Sequence, residues 1–187
     1  VNLGGATAAV TWASGGFCGG TLILGAPEAT HTLDFQNPIA LGSAARTIQV
    51  DDGAAAVDAR LSGILSSSSA GNRLIKTGNG ILSLAGGCTY TGSTTVSNGT
   101  LRADGALGTG AVTVVSGAAI GGTGTVDGAT LTLESGAKLS VTVYADGSSD
   151  ALTVSGALDV ANLGLEGVNT NLLNGVVKYA VVKCASH

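Results

Sequence analysis

Leu74-Ile75-Lys76-Thr77-Gly78-Asn79-Gly80-Ile81-Leu82-Ser83-Leu84-Ala85-Gly86, continuing through Tyr90-Thr91-Gly92-Ser93-Thr94-Thr95-Val96-Ser97-Asn98-Gly99-Thr100-Leu101, decides the reading of this chain. Its apolar residues come in short period-two runs, as in Gly80-Ile81-Leu82-Ser83-Leu84, and the runs are cut by Asn79-Gly80 and Asn98-Gly99. A period of two is the signature of a strand with one buried face. Asn-Gly pairs suit tight turns, because Gly tolerates positive φ and Asn bonds to nearby backbone.

The same grammar extends in both directions. Ala111-Val112-Thr113-Val114, Gly124-Thr125-Val126, Ala129-Thr130-Leu131-Thr132-Leu133, Lys138-Leu139-Ser140-Val141-Thr142-Val143 and Leu152-Thr153-Val154 alternate Leu or Val with Ser, Thr or Lys. Ser116-Gly117, Asp127-Gly128 and Ser135-Gly136 punctuate them. Upstream the pattern is less regular, with strand candidates at Thr21-Leu22-Ile23-Leu24, Thr32-Leu33-Asp34-Phe35, Thr47-Ile48-Gln49-Val50 and Val57-Asp58-Ala59-Arg60-Leu61, and a loop over Ser66 to Ser69. No segment has the length, caps and apolar stripe of a helix. Strands of three to five residues suit coils of about 20 to 25 residues better than the hairpins of a sandwich. The expected fold is therefore all-β, a parallel β-helix forming one domain over 1–187, with irregular coils over 1–70, repeat-like coils over 71–143 and closing coils over 144–187. About eight coils at ~4.8 Å each would make a rod on the order of 40 Å long.

Composition excludes several function classes. Charged residues are 11% of the 187 and the apolar set is 44%, the reverse of a disordered chain. No apolar run approaches the ~20 residues of a membrane helix. A net charge of −4 with eight scattered basic residues argues against nucleic acid. Cys18, Cys88 and Cys184 lie far apart with no metal-ligand spacing, and read as small buried apolar residues; a disulfide would need two of them on neighbouring coils. A chain that begins at Val1 and contains no Met reads as a processed or excised piece of something longer.

The stretch quoted first resembles the passenger-associated transport repeat of autotransporters, which runs roughly L-x-K-x-G-x-G-x-L-x-L and then Y-x-G-x-T-x-V-x-x-G-x-L. Gly105-Ala106-Leu107-Gly108-Thr109-Gly110-Ala111-Val112-Thr113-Val114 and Ser116-Gly117-Ala118 are similar to the segment that commonly comes after that repeat. The resemblance implies a right-handed parallel β-helix, secreted by a bacterium and displayed outside the cell, whose repeat assists passage across the outer membrane. It carries over no catalytic residue. No series of ~10-residue alternating strands with aromatic girdles, the mark of a translocator barrel, is present.

The residues carry few groups arranged for chemistry. His31 is the only internal histidine, no G-x-S-x-G elbow occurs, and His31 reads as solvated. The candidate carboxylates for polysaccharide chemistry are Asp51-Asp52 with Asp58, and Asp146 with Asp150. Asp52-Gly53 reads as a turn, and sugar-stacking aromatics are few: Trp12, Phe17, Phe35, Tyr90, Tyr144 and Tyr179. Gly121-Gly122-Thr123-Gly124-Thr125-Val126-Asp127 misses the calcium β-roll spacing by one position, Asp146 to Asp150 reads as a surface turn, and Asn98-Gly99-Thr100 matches a glycosylation sequon but serves as a turn. The expectation is no catalytic, metal or cofactor site: a structural or adhesive element with a cell-surface or glycan ligand, the alternative being a polysaccharide-binding or polysaccharide-cleaving β-helix. Solenoid ends expose strand edges. Val1-Asn2-Leu3-Gly4-Gly5 carries no charge and reads as an open end, and Val176 to Cys184 reads as a strand-like segment guarded by two lysines. Head-to-tail association into a filament is expected from such ends, with Cys18 or Cys184 reinforcing a junction.

Overall fold

Short strands with free edges must find partners, and in the computed structural model they find them in the next turn of the chain rather than in hairpins. The structure describes residues 1–5, 7–67, 69, 71–127, 130–142, 148–160, 164–168 and 182–184. Among these no residue is helical, and every strand-to-strand ladder is parallel. The first sheet stacks Leu22–Leu24, Ala45–Val50, Arg73–Thr77, Ser93–Val96, Val112–Val114, Leu131–Leu133 and Leu158–Val160. The second stacks Leu33–Phe35, Ala59–Leu61, Ile81–Leu84, Thr100–Ala103, Ala119–Gly121, Lys138–Thr142 and Gly164–Val168.

A third face runs through Val10–Thr11, Ile39–Ala40 and Leu65–Ser66, and resumes at Ala106–Leu107, Thr125–Val126, Leu152–Val154 and Val182–Cys184. The gap between its halves is bridged by Thr89, whose N–H donates to Leu65 O at 2.9 Å, and Cys88, whose N–H donates to Ala106 O at 2.8 Å. The chain visits first sheet, second sheet and third face in turn, so the molecule is a parallel β-solenoid whose two main sheets are seven-stranded. The described residues make seven coils rather than about eight, because the register steps before the repeat, Leu24 to Val50 and Ile48 to Lys76, and a later one, Leu131 to Leu158, are longer than 25 residues.

Register turns the alternation into a bore. Leu82, Leu101, Ile120 and Leu139 are partners on successive coils, as are Val96, Val114 and Leu133, and all are buried. Each such side chain removed from water contributes on the order of 2 kcal/mol, and an aliphatic side chain on each rung keeps the ladder in register. Corners are tight. Gly78 has φ +76, and a Cβ there would lie 2.2 Å from Val50 O, so only glycine lets this corner sit on the coil below.

The N-terminal end departs from the open edge expected. Val1 N donates to Asp34 O and Gln36 N donates to Val1 O at 3.0 Å, so Val1 lies along the edge of the second sheet. Buried Asn37 accepts from Leu3 N at 2.7 Å and donates to Leu3 O, Gly5 O and Ala8 O. Trp12 packs edge-on to Phe17, with centroids 6.1 Å apart, and Phe17 lies 5.7 Å from Phe35. The Arg46 guanidinium sits over the Trp12 ring at 5.7 Å, and the indole N–H donates to Gly20 O. Three of the chain's six aromatic rings thus close the mouth of the first coil. The expected strand-like segment over Val176–Cys184 lies mostly outside the described residues, its last three forming the Val182–Cys184 strand.

Candidate functional site

Alternation places Lys76 on the same side of its strand as Leu74, and the structure puts both inside. Lys76 occupies an aliphatic ladder, between Ile48 on one coil and Val96 on the next. An ammonium in a bore needs acceptors. Its Nζ donates to Thr77 O at 3.1 Å, Gly78 O at 2.7 Å and Asn98 O at 3.0 Å, so three carbonyls of two stacked corners enclose it. Burial lowers its pKa to about 8, against the pull of Asp58 and Asp52.

Of the three expected carboxylates at this corner, Asp58 and Asp51 are already employed. Asp58 is buried, and its two oxygens accept from Gly53 N and Ile81 N, both at 2.7 Å. Asp51 accepts from Gln49 Nε2 at 2.8 Å, and Asp51 and Asp52 lie between strands, on a polar cleft with Asn79 and Asn98. Asn98 donates to Asn79 Oδ1 at 2.8 Å and accepts from Gly99 N, which makes the sequon a turn, as expected. Asp146 lies outside the described residues.

Asp150 is buried and pairs with Arg102 at 2.9 Å, four dozen residues earlier in the chain. Arg102 also grips Asp104 with Nε and Nη2 and donates to Thr142 Oγ1, and Ser83 Oγ donates to Asp104 Oδ2 at 2.6 Å. The rung above Arg102 is Gly121, which leaves the guanidinium room to reach across it. Burial opposes the Arg102 charge, and the hydrogen bonds and charges of Asp104 and Asp150 outweigh it and raise the pKa.

This network forms one wall of a groove of about 500 Å³ on the outer face of the second sheet, whose other wall carries Thr32, Asp34 and Arg60. Asp34, Arg60, Ser83 and Arg102 are register partners on successive coils. Arg60 is exposed and makes no hydrogen bond or ion pair among the described residues. A larger cleft of about 670 Å³, lined by Ser43, Ser66, Ser67, Ser69 and Thr89 on the third face, holds no ionisable side chain.

The remaining sequence candidates do not join either cluster. His31 is exposed, with Nδ1 2.8 Å from Thr30 Oγ1. Cys88 is buried and its thiol is pushed up to about 12 by that burial; Cys18 is half-buried, and both are free thiols. Asp127 accepts from Thr125 Oγ1 and Ser155 Oγ. Among the described residues no three His, Cys, Asp or Glu side chains gather as metal ligands. Lys76 was not read as buried, although its alternation with Leu74 marks the position, whereas the Arg102–Asp150 pair left no signal, since nothing in the spacing says which loop returns to which rung.

The class this geometry defines is a three-faced parallel β-solenoid with polar side chains knotted at its corners. Residues 74–103 match the family model of the Passenger-associated-transport-repeat, the repeat of autotransporter passengers, and the chain carries that repeat. The match spans the Lys76 cage, the Gly78 and Gly99 corners and the Arg102 rung. No curated protein and no solved structure matches the chain.

Proposed function

We propose that this chain is a structural segment of a bacterial autotransporter passenger, wound right-handed and working outside the cell as a spacer or adhesive surface. The observation that carries the reading is the repeat match over residues 74–103, which opens the run of short, regular coils. Right-handedness follows from the twist of strands, since crossovers between parallel strands are right-handed in nearly all sheets. Seven stacked coils give a rod of about 34 Å at ~4.8 Å per coil, which presents side chains away from its point of attachment. The role is not enzymatic. The test is export: placed between a signal sequence and a translocator barrel in a bacterial host, the chain should become protease-accessible at the cell surface, and Gly78→Ala should lower that fraction without lowering synthesis. Equal display of both forms contradicts a role for the repeat in passage and folding.

Arg60 favours a glycan ligand on the same surface. Every strand of the second sheet between its ends is paired on both edges, so a partner on this face must bind through side chains. An unpaired guanidinium beside the hydroxyl of Thr32 suits an acidic saccharide. Arg60→Ala should abolish retention on an immobilised acidic polysaccharide, and retention unchanged by that substitution removes the groove from the reading. Turnover of such a polysaccharide, lost in Asp51→Ala or Asp52→Ala, would overturn the non-enzymatic role. Head-to-tail filament growth belongs to this reading as well, with its N-terminal contact at the end that Trp12 and Asn37 cover.

A further inference from the structure

We propose that Asn98-Gly99 is a self-modification site, at which the Gly99 nitrogen closes onto the Asn98 side-chain amide, expels ammonia and leaves an aspartyl or isoaspartyl residue, with the Lys76 ammonium promoting the closure. The chain has three Asn-Gly pairs, Asn79-Gly80, Asn98-Gly99 and Asn174-Gly175, and the last lies outside the described residues. Glycine after asparagine leaves the route to the amide carbon open, because no side chain stands beside the attacking nitrogen. The other two pairs differ in where that nitrogen's proton is held.

Asn79 and Asn98 are both exposed on stacked corners, and Asn98 Nδ2 donates to Asn79 Oδ1 at 2.8 Å. Gly80 is buried, and its N–H donates to Val50 O at 2.9 Å, which ties the nitrogen to the coil below. Gly99 N–H instead donates to Oδ1 of Asn98 itself at 2.9 Å. The Asn98 amide is therefore curled back onto the nitrogen that attacks it.

Lys76 acts at the other end of the same peptide bond. Removing the Gly99 N–H proton places negative charge on Asn98 O, because nitrogen and oxygen of a peptide share their electrons. Nζ donates to that oxygen at 3.0 Å from inside the bore. A fixed donor aimed at an oxygen where charge develops stabilises the anion, the more so where water is excluded. A Cβ at residue 99 would lie 2.7 Å from Nζ, so glycine permits both the contact and the closure. Asp58 and Asp52 are the charged groups whose field reaches Lys76, and both favour its charged form.

Water is the only co-reactant. Solvent base takes the Gly99 N–H proton, the nitrogen lone pair forms a bond to Asn98 Cγ, and the Cγ–Nδ2 bond breaks as Nδ2 gains a proton and leaves as ammonia. Water then opens the cyclic imide at Cγ to give aspartate, or at the backbone carbonyl to give isoaspartate. Either product adds a carboxylate to the cleft that holds Asp51 and Asp52, and removes the N–H that Asn98 gives Asn79.

The test follows the whole chain, folded and in urea at one pH, by tryptic digestion over time. The peptide from Thr77 to Arg102 carries both pairs, and its fragmentation assigns the amide-to-acid mass gain to Asn79 or Asn98. Asn98 should convert about tenfold faster in the folded chain than in urea, the effect of one charge-assisted hydrogen bond, while Asn79 converts more slowly folded than unfolded. Asn98 converting more slowly folded than in urea, or Asn79 keeping pace with it, overturns the site. Lys76→Met should bring the folded Asn98 rate down to its rate in urea, and an unchanged rate with the strand signal intact overturns the role of the ammonium. Should that variant not fold, the wild type decides. Its folded rate should rise with hydroxide to about pH 8 and flatten as Lys76 gives up its proton, while the rate in urea keeps rising; parallel profiles overturn the role of Lys76.

Discussion

Coils within and just after the matched repeat and coils before it solve the same stacking problem with different lengths of chain. Lys76 to Val96, Val96 to Val114 and Leu101 to Ile120 are register steps of 18 to 20 residues, whereas Leu24 to Val50 and Ile48 to Lys76 are steps of 26 and 28. A short step leaves no slack, so its corners must be narrow enough to sit on the corner below, and glycine does this. A long step leaves an excursion to be tied down, and one buried polar side chain does it each time. Asn37 ties the leading segment, Asp58 ties the loop between Val50 and Ala59, and Asp150, through Arg102, ties the residues just ahead of Leu152. Regularity here rests on sterics and irregularity on hydrogen bonds.

The largest effect should come from breaking a short-step corner. Gly78→Ala meets both positive φ and the Val50 carbonyl, and should destabilise by about 3 kcal/mol or more in chemical unfolding. Gly87→Ala, where an added Cβ meets nothing within 4 Å, should stay within about 0.5 kcal/mol. Equal costs at the two positions would refute the steric account of corners.

Next come the ties of the long steps. Arg102→Ala leaves Asp150 in the interior without its guanidinium and should cost about 3 kcal/mol. Asp58→Ala deprives Gly53 N and Ile81 N of their acceptor and should cost about 2 kcal/mol. Proteolysis should then cut first in the released excursion, 51–58 for Asp58→Ala, and cleavage elsewhere would break the assignment of ties to loops.

Lys76 sits at the boundary between the two regions and sets a pH dependence. Its folded pKa of about 8 lies below the ordinary 10.5, so between those values the unfolded chain holds a proton that the folded chain has lost, and stability rises with pH. Cys88 acts oppositely from pH 9 upward, because burial holds its thiol protonated to about 12, and Tyr90, also raised by burial, joins it above pH 10. Stability should therefore climb by about 1 kcal/mol from pH 8 to pH 9 and then level and fall. Lys76→Met should remove the climb. A wild type that declines steadily from pH 8 would show that the cage does not penalise the charge.

The smallest effect sharpens the comparison from the other side. Asn72 is buried where the long steps give way to short ones, yet among the described residues its Oδ1 and Nδ2 have no hydrogen-bond partner. Unlike Asn37, it ties nothing. Asn72→Ala should be neutral or stabilising by up to ~1 kcal/mol, while Asn37→Ala destabilises, and the reverse order in thermal melts would contradict the distinction.

Much of this was readable from the chain. Alternation located the strands from Leu22 to Val154, and Asn79-Gly80 and Asn98-Gly99 marked corners that the structure places one above the other. Two-residue strands such as Ile39–Ala40 and Ala106–Leu107 left too few positions for a period to show. Trp12 and Phe17 looked like scattered aromatics because what they do is a tertiary contact, made with Phe35 and Arg46 two and four strands on. Arg102 and Asp150 could not be paired in advance, since coil length changes from rung to rung and the partner of a side chain depends on every loop between. The carboxylates at Asp51, Asp52 and Asp58 were noticed for their chemistry, and what two of them do is hold the turns of the chain.

Parallel stacking at one coil per step is the claim on which everything else stands, and a single distance tests it most directly. Thr47, Ile75, Thr95, Thr113, Thr132 and Asp159 are register partners along the outer face of the first sheet. Spin labels at Thr47→Cys and Asp159→Cys, with the native cysteines replaced by alanine, should give one narrow distance centred near 24 Å, from five steps of ~4.8 Å. A broad distribution, or a centre beyond about 35 Å, would mean that these strands do not climb a common ladder and would contradict the solenoid.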